Sequence, residues 1–347
     1  MNSAETFPAP VLHRFTRRVF TRAGLPANDA TILADHLIWS DLRGLSKLGV
    51  NKIPPYLARL RAGGTRPDAA PEVIKESPTL LVVDGHDGFG QVICFHTMKM
   101  VIAKARSTGL AAAVIRNSSS AGALGVYAEQ AAEQRLVGLA ITNALPLVAA
   151  PGGAEKVVGN QAFALAAPAR RHRPLLYDAA TSAITWVRIF EHRLAGAPLP
   201  EGVALTAEAE PTVDPEEAMK GILLPMAGHR GFGLALLWEV LTGVLSGGER
   251  FSTNAGAETP DRPEAVSVFL LALDPTVVQP YDAFVDRVDT LIDNVHNSRR
   301  LPGTDRLTVP GERSGETRHW READGIPVPA DLLTELRTLG AEFGIIL

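Results

Sequence analysis

The sequence predicts a mixed α/β protein: a central mixed sheet with its own helices, plus a helical part drawn from both chain ends. Three observations carry this expectation. Apolar runs of strand length alternate with helical patterns through the middle of the chain. Helical patterns without strands between them occupy both ends. Glycine (31) and proline (25) make up about one residue in six of 347, which marks many tight turns. No internal repeat is present. The expected division is a helical part over residues 1–70 packed with residues 280–347, and a central α/β part over residues 71–279.

In chain order, Val11, Leu12, Phe15, Val19 and Phe20 recur at helical spacing, and Gly24 ends that helix. A second helix over Thr31–Arg43 starts after Asn28 or Asp29 and stops at Gly44. Leu45–Lys52 reads as a polar loop before a short helix over Tyr56–Ala62. Strands are expected at Glu72–Glu76 and Thr79–Asp84, then a turn-rich loop from Asp84 to Gly90. A helix over Gln91–Thr108 feeds a buried strand, Ala112–Ile115. That strand opens into the small, polar loop Arg116–Gly122, and a helix runs from about Ala123 to Arg135. Strands at Val137–Thr142, Gln161–Ala167 and Leu175–Ala179 precede a helix over Ser182–Ala195. Pro198–Asp214 is loop-like, and Pro215 starts a short helix. A strongly apolar helix (Phe232–Leu245), a polar, Gly-rich segment (Ser246–Pro263) and a strand (Val266–Leu273) follow. Tyr281–Asn297 is an amphipathic helix. A short strand around Leu307–Val309 and a last helix over Asp331–Gly344 complete the chain.

Composition bounds the function. A hydrophobic share of 46% with 21% charged residues is ordinary for a globular protein. The net charge of −4 leaves no footprint for nucleic acid or an anionic membrane. The one cysteine, Cys94, forbids an internal disulfide, and its apolar neighbours read as a buried, inert thiol. The first residues lack the layout of a signal peptide, and no run has the length of a membrane span. These features lead to the expectation of a soluble, cytoplasmic protein.

The candidate chemistry centres on Ala112–Gln130, where a strand runs into hydroxyls, backbone N–H groups and a helix start. Such a start offers unpaired donors and partial positive charge to a phosphate or carboxylate. An ordinary Ser-capped turn explains the same residues equally well. Gly228-His229-Arg230-Gly231, ahead of the apolar helix, reads as an anion clamp with Arg230 forked on a phosphate. The cluster from Arg299 to Arg306 is a second basic patch, for which a solvated loop is an equal reading. No glycine-rich turn has the context of a Rossmann fingerprint, and no serine stands in a nucleophile elbow. None of the nine histidines pairs at metal-ligand spacing, so no metal is expected.

Several collinear segments together resemble one family, the malate/L-lactate dehydrogenase-like oxidoreductases. This family includes sulfolactate and ureidoglycolate dehydrogenases and Δ1-piperideine-2-carboxylate reductases. The matching segments include Asp41-Leu42-Arg43-Gly44, Asp84-Gly85 with Gly88-Phe89-Gly90-Gln91, and Arg116-Asn117-Ser118. Further on they include Asp178-Ala179-Ala180-Thr181-Ser182, Pro211-Thr212-Val213-Asp214-Pro215 and Val309-Pro310-Gly311-Glu312. The resemblance implies a non-Rossmann NAD(P)-binding fold of the L-sulfolactate-dehydrogenase type, usually a homodimer. It implies that Ser120, Ala121, Gly122, Ala123 and Leu124 touch the cofactor phosphates or nicotinamide side, and that Asp178, Ala179 and Ala180 line the same cofactor. His229 and Arg230, and Arg300, Pro302, Gly303 and Arg306, match its other dinucleotide contacts.

The catalytic positions depart from the family pattern. Lys47-Leu48-Gly49 stands where most members carry Ser-His-Gly, so Leu48 replaces a histidine that resembles the proton donor. Ser120 stands where many members have a second histidine, and Arg188 aligns with a Lys or an Asp. Asn160 falls in an altered substrate motif, Lys52 matches a carboxylate-binding arginine, and Arg116 is a further substrate candidate. The resemblance thus implies an NADH- or NADPH-dependent oxidoreductase for a small carboxylate-bearing substrate. A cyclic imino acid and a 2-oxo or 2-hydroxy acid both qualify. Lys47, Ser120 and Arg188 are its catalytic candidates. The alternative is a member that has lost hydride transfer and serves as a non-redox biosynthetic enzyme or a ligand-binding protein.

Overall fold

The computed structural model describes residues 4–252 and 259–347, so part of the polar segment expected at Ser246–Pro263 lies outside the described residues. The first layer holds strand β1 (Glu5–Phe7) and helices α1 (Ala9–Arg22) and α2 (Ala27–Leu42). Where a loop is expected after α2, two 3₁₀ turns form, Ser46–Leu48 and Val50–Lys52. They lead into α3 (Ile53–Ala62), whose first turn takes Pro54 and Pro55 without loss because those N–H groups have no helical partner.

The central part contains β2 (Glu72–Glu76), β3 (Leu80–Gly88), α4 (Gly90–Thr108), β4 (Leu110–Ser118), α5 (Gly125–Glu133) and β5 (Val137–Thr142). It continues with β6 (Phe163–Ala167), β7 (Leu175–Ala179) and α6 (Trp186–Ala195). A small three-stranded sheet follows, from β8 (Ala204–Leu205), β9 (Pro211–Thr212) and β10 (Ile222–Leu223), with α7 (Pro215–Lys220) between its last two strands. Helix α8 (His229–Glu239) runs on through a π turn, Val240–Val244. Strand β11 (Val266–Leu273), α9 (Tyr281–His296), α10 (Glu312–Asp324), β12 (Ile326–Val328) and α11 (Ala330–Glu342) finish the chain.

Seven strands form the main sheet in the order β2-β3-β4-β11-β5-β6-β7. Only β3 and β4 run parallel, joined through α4; every other neighbour pair is antiparallel. Strand β11 is central and apolar on both faces, pairing Leu270 with Ala113 on one side and Ala140 on the other. Alternation along β4 divides its side chains between two cores. Ala111, Ala113 and Ile115 join Met98, Val101 and Tyr127 beneath α4 and α5, while Ala112 and Val114 face Phe269, Trp238 and Leu241 on the α8 side. The mixed α/β architecture expected from the alternation is the one observed.

A third core joins the chain ends: Leu12, Phe15, Phe20, Leu33, Leu37 and Leu57 pack with Ile326, Val328, Leu333 and Leu336. Strands β1 and β12 pair antiparallel above it, Phe7 opposite Ile326. Helix α9 lies elsewhere, its buried Asp289 reaching the segment before β7.

Three expectations are corrected. Strand β3 runs through the expected loop after Asp84, because the Asp84 carboxylate accepts the His86 N–H (3.0 Å) and holds His86 and Asp87 in the left-handed region. No strand forms at Leu307–Val309. Helix α10 forms instead where no helix is expected; it buries only Gly315, so it lacks the apolar stripe that reveals a helix. The apolar helix α8 is not buried all round, and leaves Leu236, Leu237, Val240, Val244 and Leu245 exposed. Among the described residues, no helix is long and apolar enough to cross a membrane.

Candidate active site

Two segments carry the main candidate residues, and each rests on a buried titratable side chain. The first follows β4. Its serine Ser119 accepts the Gly90 N–H (2.9 Å), and the Tyr127 hydroxyl donates to Ala121 O (2.6 Å). His36, fully buried on α2, has its pKa pushed down to about 3 by burial. It is therefore neutral, and its Nε2 accepts the Ala123 N–H at 2.9 Å. Gly122 adopts φ +70, and a Cβ there would meet His36 Nε2 at 2.4 Å, so both backbone and space require glycine.

These bonds revise the anion cradle expected from the sequence. The Ser120 N–H donates to Glu264 Oε2 (2.7 Å), the Ala123 N–H to His36, and the Gly125 N–H to Asp178 Oδ2 (2.7 Å). The start of α5 already holds a carboxylate. Ala121, Ala123 and Leu124 are buried in the core, while Ser120 and Gly122 are half-buried. The loop is a fixed platform with Ser120 and Gly122 at its surface, not a free nest of donors.

The second segment is the pair of 3₁₀ turns. Asp41, at the end of α2, accepts the Val50 N–H at 2.7 Å. Burial pushes its carboxyl up to about 7, against the lowering effects of that bond and of Arg321. Arg321 donates to Asp41 O and to Ser46 Oγ (3.3 Å), tying α10 to the same turn. A Cβ at Gly49 would fall 2.1 Å from the Asp41 carboxyl, so glycine lets the turn close over it.

This turn presents Lys47 and Lys52. The Lys47 ammonium lies 3.6 Å from the centre of the Phe190 ring on α6. Desolvation lowers its pKa, and Lys52 and Arg193 add to the effect against Asp331 and Glu191. Leu48, beside it, is half-buried and has no proton to give. Arg188, also on α6, is exposed and pairs with Glu191 at 2.8 Å.

Arg116 is engaged within the sheet. It lies opposite Asp84 in the β3–β4 ladder, and its Nε donates to Asp84 Oδ2 at 3.0 Å. The Asn117 amide donates to the same oxygen (2.9 Å), so both side chains brace the bulge in β3. Asn160 is half-buried and offers its carbonyl to the Thr181 N–H (2.8 Å) and hydroxyl (2.9 Å), which joins its segment to the chain just after β7. Asp178, Ala179 and Ala180 sit at that same end. His229 and Arg230 are exposed at the start of α8.

Arg300 and Arg306 line a cavity of about 570 Å³ together with Arg171, Arg173, Pro310 and Glu316. Arg306 forks onto Glu316 at 2.5 Å to each oxygen, and Arg300 donates to Asp305 O. Pro302 and Gly303 form the exposed turn between them, with Gly303 at φ +81.

Sequence reading missed the support beneath Ser120. Tyr56 is buried and accepts from Gln91 Nε2 (2.7 Å); Ser120 bonds it too, and burial raises its phenol further with Glu264 nearby. Arg59 Nε lies 3.8 Å from the same Glu264 oxygen that accepts the Ser120 N–H. Tyr56, Gln91 and Glu264 lie far apart in the sequence, and no local pattern joins them.

The family profile described as Malate/L-lactate dehydrogenase matches residues 7–337. A malate dehydrogenase of Pyrococcus abyssi is 36% identical over 346 residues, covering 97% of this chain and 95% of that one. A Delta(1)-pyrroline-2-carboxylate/Delta(1)-piperideine-2-carboxylate reductase of Pseudomonas putida is 30% identical, covering 96% of each chain. The solved sulfolactate dehydrogenase of Methanocaldococcus jannaschii superposes with a TM-score of 0.92 at 30% identity, over 99% of this chain and 98% of that one. The chain belongs to the malate/L-lactate dehydrogenase family and has its fold.

Proposed function

We propose that the protein is a NAD(P)-dependent oxidoreductase that moves hydride between the coenzyme and a small carboxylate-bearing substrate. Substrates are a cyclic imino acid or a 2-oxo/2-hydroxy acid, the classes named for its relatives. The observation that carries the reading is the Lys47 turn: a desolvated amine of lowered pKa stands next to the position of the missing histidine, with a second cation, Lys52, on the following turn.

The residues present fit a nicotinamide dinucleotide. Its linked phosphates call for fixed cations, and Arg300 and Arg306 line the basic cavity. Its nicotinamide calls for a rigid, small-residue surface, which Ser120 and Gly122 present. Asp178, Ala179 and Ala180 border that platform. When bound, the coenzyme supplies the hydride. The chain's residues supply orientation and the proton. Lys52 holds the substrate carboxylate as a point charge, without the fork of an arginine. Lys47 holds a proton whose release its apolar surroundings ease. Ser120, anchored by Tyr56, orders the substrate's polar atom.

Adding NADH or NADPH is expected to quench tryptophan fluorescence or raise the melting temperature. A panel of cyclic imino acids and 2-oxo acids, followed by coenzyme absorbance, then separates the two chemistries. Lys47→Met, which keeps the stem over Phe190 and removes the proton, should lower kcat about 10²–10⁴-fold with coenzyme affinity nearly unchanged. An unaltered kcat removes Lys47 from the role. Silence toward both coenzymes favours a member that has lost hydride transfer.

We also infer a homodimer. Leu237 is 61% exposed, and with Leu236, Val240, Val244 and Leu245 it follows one face of α8 at helical spacing. A second copy covering this face gives a mass near twice 37.0 kDa by light scattering. Leu237→Glu is expected to return the protein to one chain; a wild-type monomer contradicts the inference.

A further inference from the structure

Beside the arginines of the basic cavity, two histidines far apart in sequence meet two carboxylates. His172, in the segment before β7, has its Nε2 2.8 Å from Asp293 Oδ1. His296, one turn after Asp293 on α9, has its Nε2 2.7 Å from Glu312 Oε1 at the start of α10. The two imidazoles lie edge to face, with centroids 5.7 Å apart. One ligand atom each from His172, Asp293 and His296 falls within 4.8 Å of the others. All four side chains are partly exposed, and His172, His296 and Glu312 line the cavity wall.

We propose that His172, Asp293 and His296 form a binding site for a divalent transition-metal ion of the zinc class, with Glu312 as its fourth ligand. The ligand chemistry selects the ion: two imidazoles with carboxylates suit zinc, nickel or copper, whereas magnesium and calcium prefer oxygen alone. Zinc–ligand bonds of about 2.1 Å put tetrahedral ligand atoms about 3.4 Å apart, so side-chain rotations of about an ångström complete the site. The ion replaces the protons that the imidazoles share with their carboxylates.

The frame around the ligands is built. Asp293 and His296 are three apart on one helix, hence on one face. The segment that carries His172 is pinned by Asp289, which is 1% exposed. Its carboxylate accepts the backbone N–H groups of Arg170 (3.2 Å), Arg171 (2.9 Å) and His172 (3.4 Å). Arg171 donates to the second oxygen of Asp293 at 2.5 Å, which aims the first oxygen at His172. Such partners orient metal ligands and tune their affinity. A bound ion links three separate segments: the approach to β7, the end of α9 and the start of α10. The inference is independent of the hydride-transfer reading and stands or falls without it.

The test uses the full-length protein stripped with EDTA and then desalted. Cobalt(II) serves as the spectroscopic probe, and zinc as the competitor. One cobalt per chain is expected, with visible absorption of four-coordinate type that zinc abolishes. Zinc should also raise the melting temperature of the wild type and not that of His172→Gln/His296→Gln, whose amides keep the bonds to Asp293 and Glu312. Far-UV circular dichroism checks that the variant is folded. Should the variant fail to fold, the stoichiometry and spectrum of the wild type decide alone. Binding weaker than about millimolar, octahedral-only spectra of loosely held cobalt, or full zinc response in the folded variant overturns the proposal.

Discussion

Glu129→Leu is expected to destabilise the protein by about 3–5 kcal/mol and to weaken coenzyme binding, although Glu129 belongs to no proposed contact. Glu129 is 8% exposed on α5 and forms an ion pair with Arg43, which is equally buried. Its other oxygen accepts the Trp39 indole N–H at 2.6 Å. The Arg43 guanidinium also lies 4.6 Å from the centre of the Trp39 ring, so the three side chains form one packed unit between α2 and α5. Removing the carboxylate leaves a buried guanidinium beside the further positive charges of Arg173 and Arg318. The large cost comes from that unpaired charge rather than from the value of the pair itself. Arg43→Met in the Glu129→Leu background should therefore recover much of the loss. Urea unfolding of both single variants and the double variant measures the coupling. A single-variant loss below about 1 kcal/mol, or simple additivity, contradicts the account. Coenzyme binding follows because Trp39 also supports Gly125: a Cβ there would lie 2.7 Å from the indole. A shifted Trp39 disturbs the start of α5 and the platform before it.

The elements that were legible in the sequence share one property: their periodicity is imposed by burial on known faces. Strand β11 is buried on both faces and reads as an apolar run broken only by Ser267, and α4 shows its inner face through Ile93, Met98, Val101 and Ile102. Helix α10 has no such stripe, and it stays in place through contacts such as Arg321 to Asp41 O. The platform after β4 shows why site geometry is harder to read than fold. Its loop composition suggests free N–H donors, yet Ser120, Ala123 and Gly125 give theirs to Glu264, His36 and Asp178. Those acceptors lie 144, 87 and 53 residues away, and no local pattern encodes them. The His172–His296 meeting is of the same kind. By contrast, the Lys47 departure from a family motif is local and can be read directly, whereas the burial that lowers its pKa comes from the fold.

The same two-segment design gives the protein an unusual pH response. Asp41, under the Lys47 turn, has its pKa raised from 3.8 to about 7. Between those values the folded state keeps a proton that the unfolded chain has lost, so this group makes stability fall as pH rises. His36, under the Ser120 platform, has its pKa lowered from 6.5 to about 3. There the unfolded chain binds the proton that the folded state refuses, so this group makes stability fall as pH drops. Each slope is about 1.4 kcal/mol per pH unit, and the two oppose one another from about pH 4 to 6.5. Asp41→Asn, whose amide oxygen still accepts the Val50 N–H, removes the first slope. Its stability should then rise with pH by about 3 kcal/mol across that window relative to the wild type. His36→Gln, whose side-chain oxygen can accept the Ala123 N–H, removes the second, and its stability should fall with pH by a similar amount. Urea unfolding at half-unit steps of pH reads both. Differences from the wild type of opposite sign in the two variants are the expected signature, because the difference removes every other titrating group, Asp178 among them. Parallel slopes would mean that the fold shifts neither titration. The two titrations beneath the Lys47 turn and the Ser120 platform offset each other across mildly acidic conditions, where either alone would tilt the stability with pH.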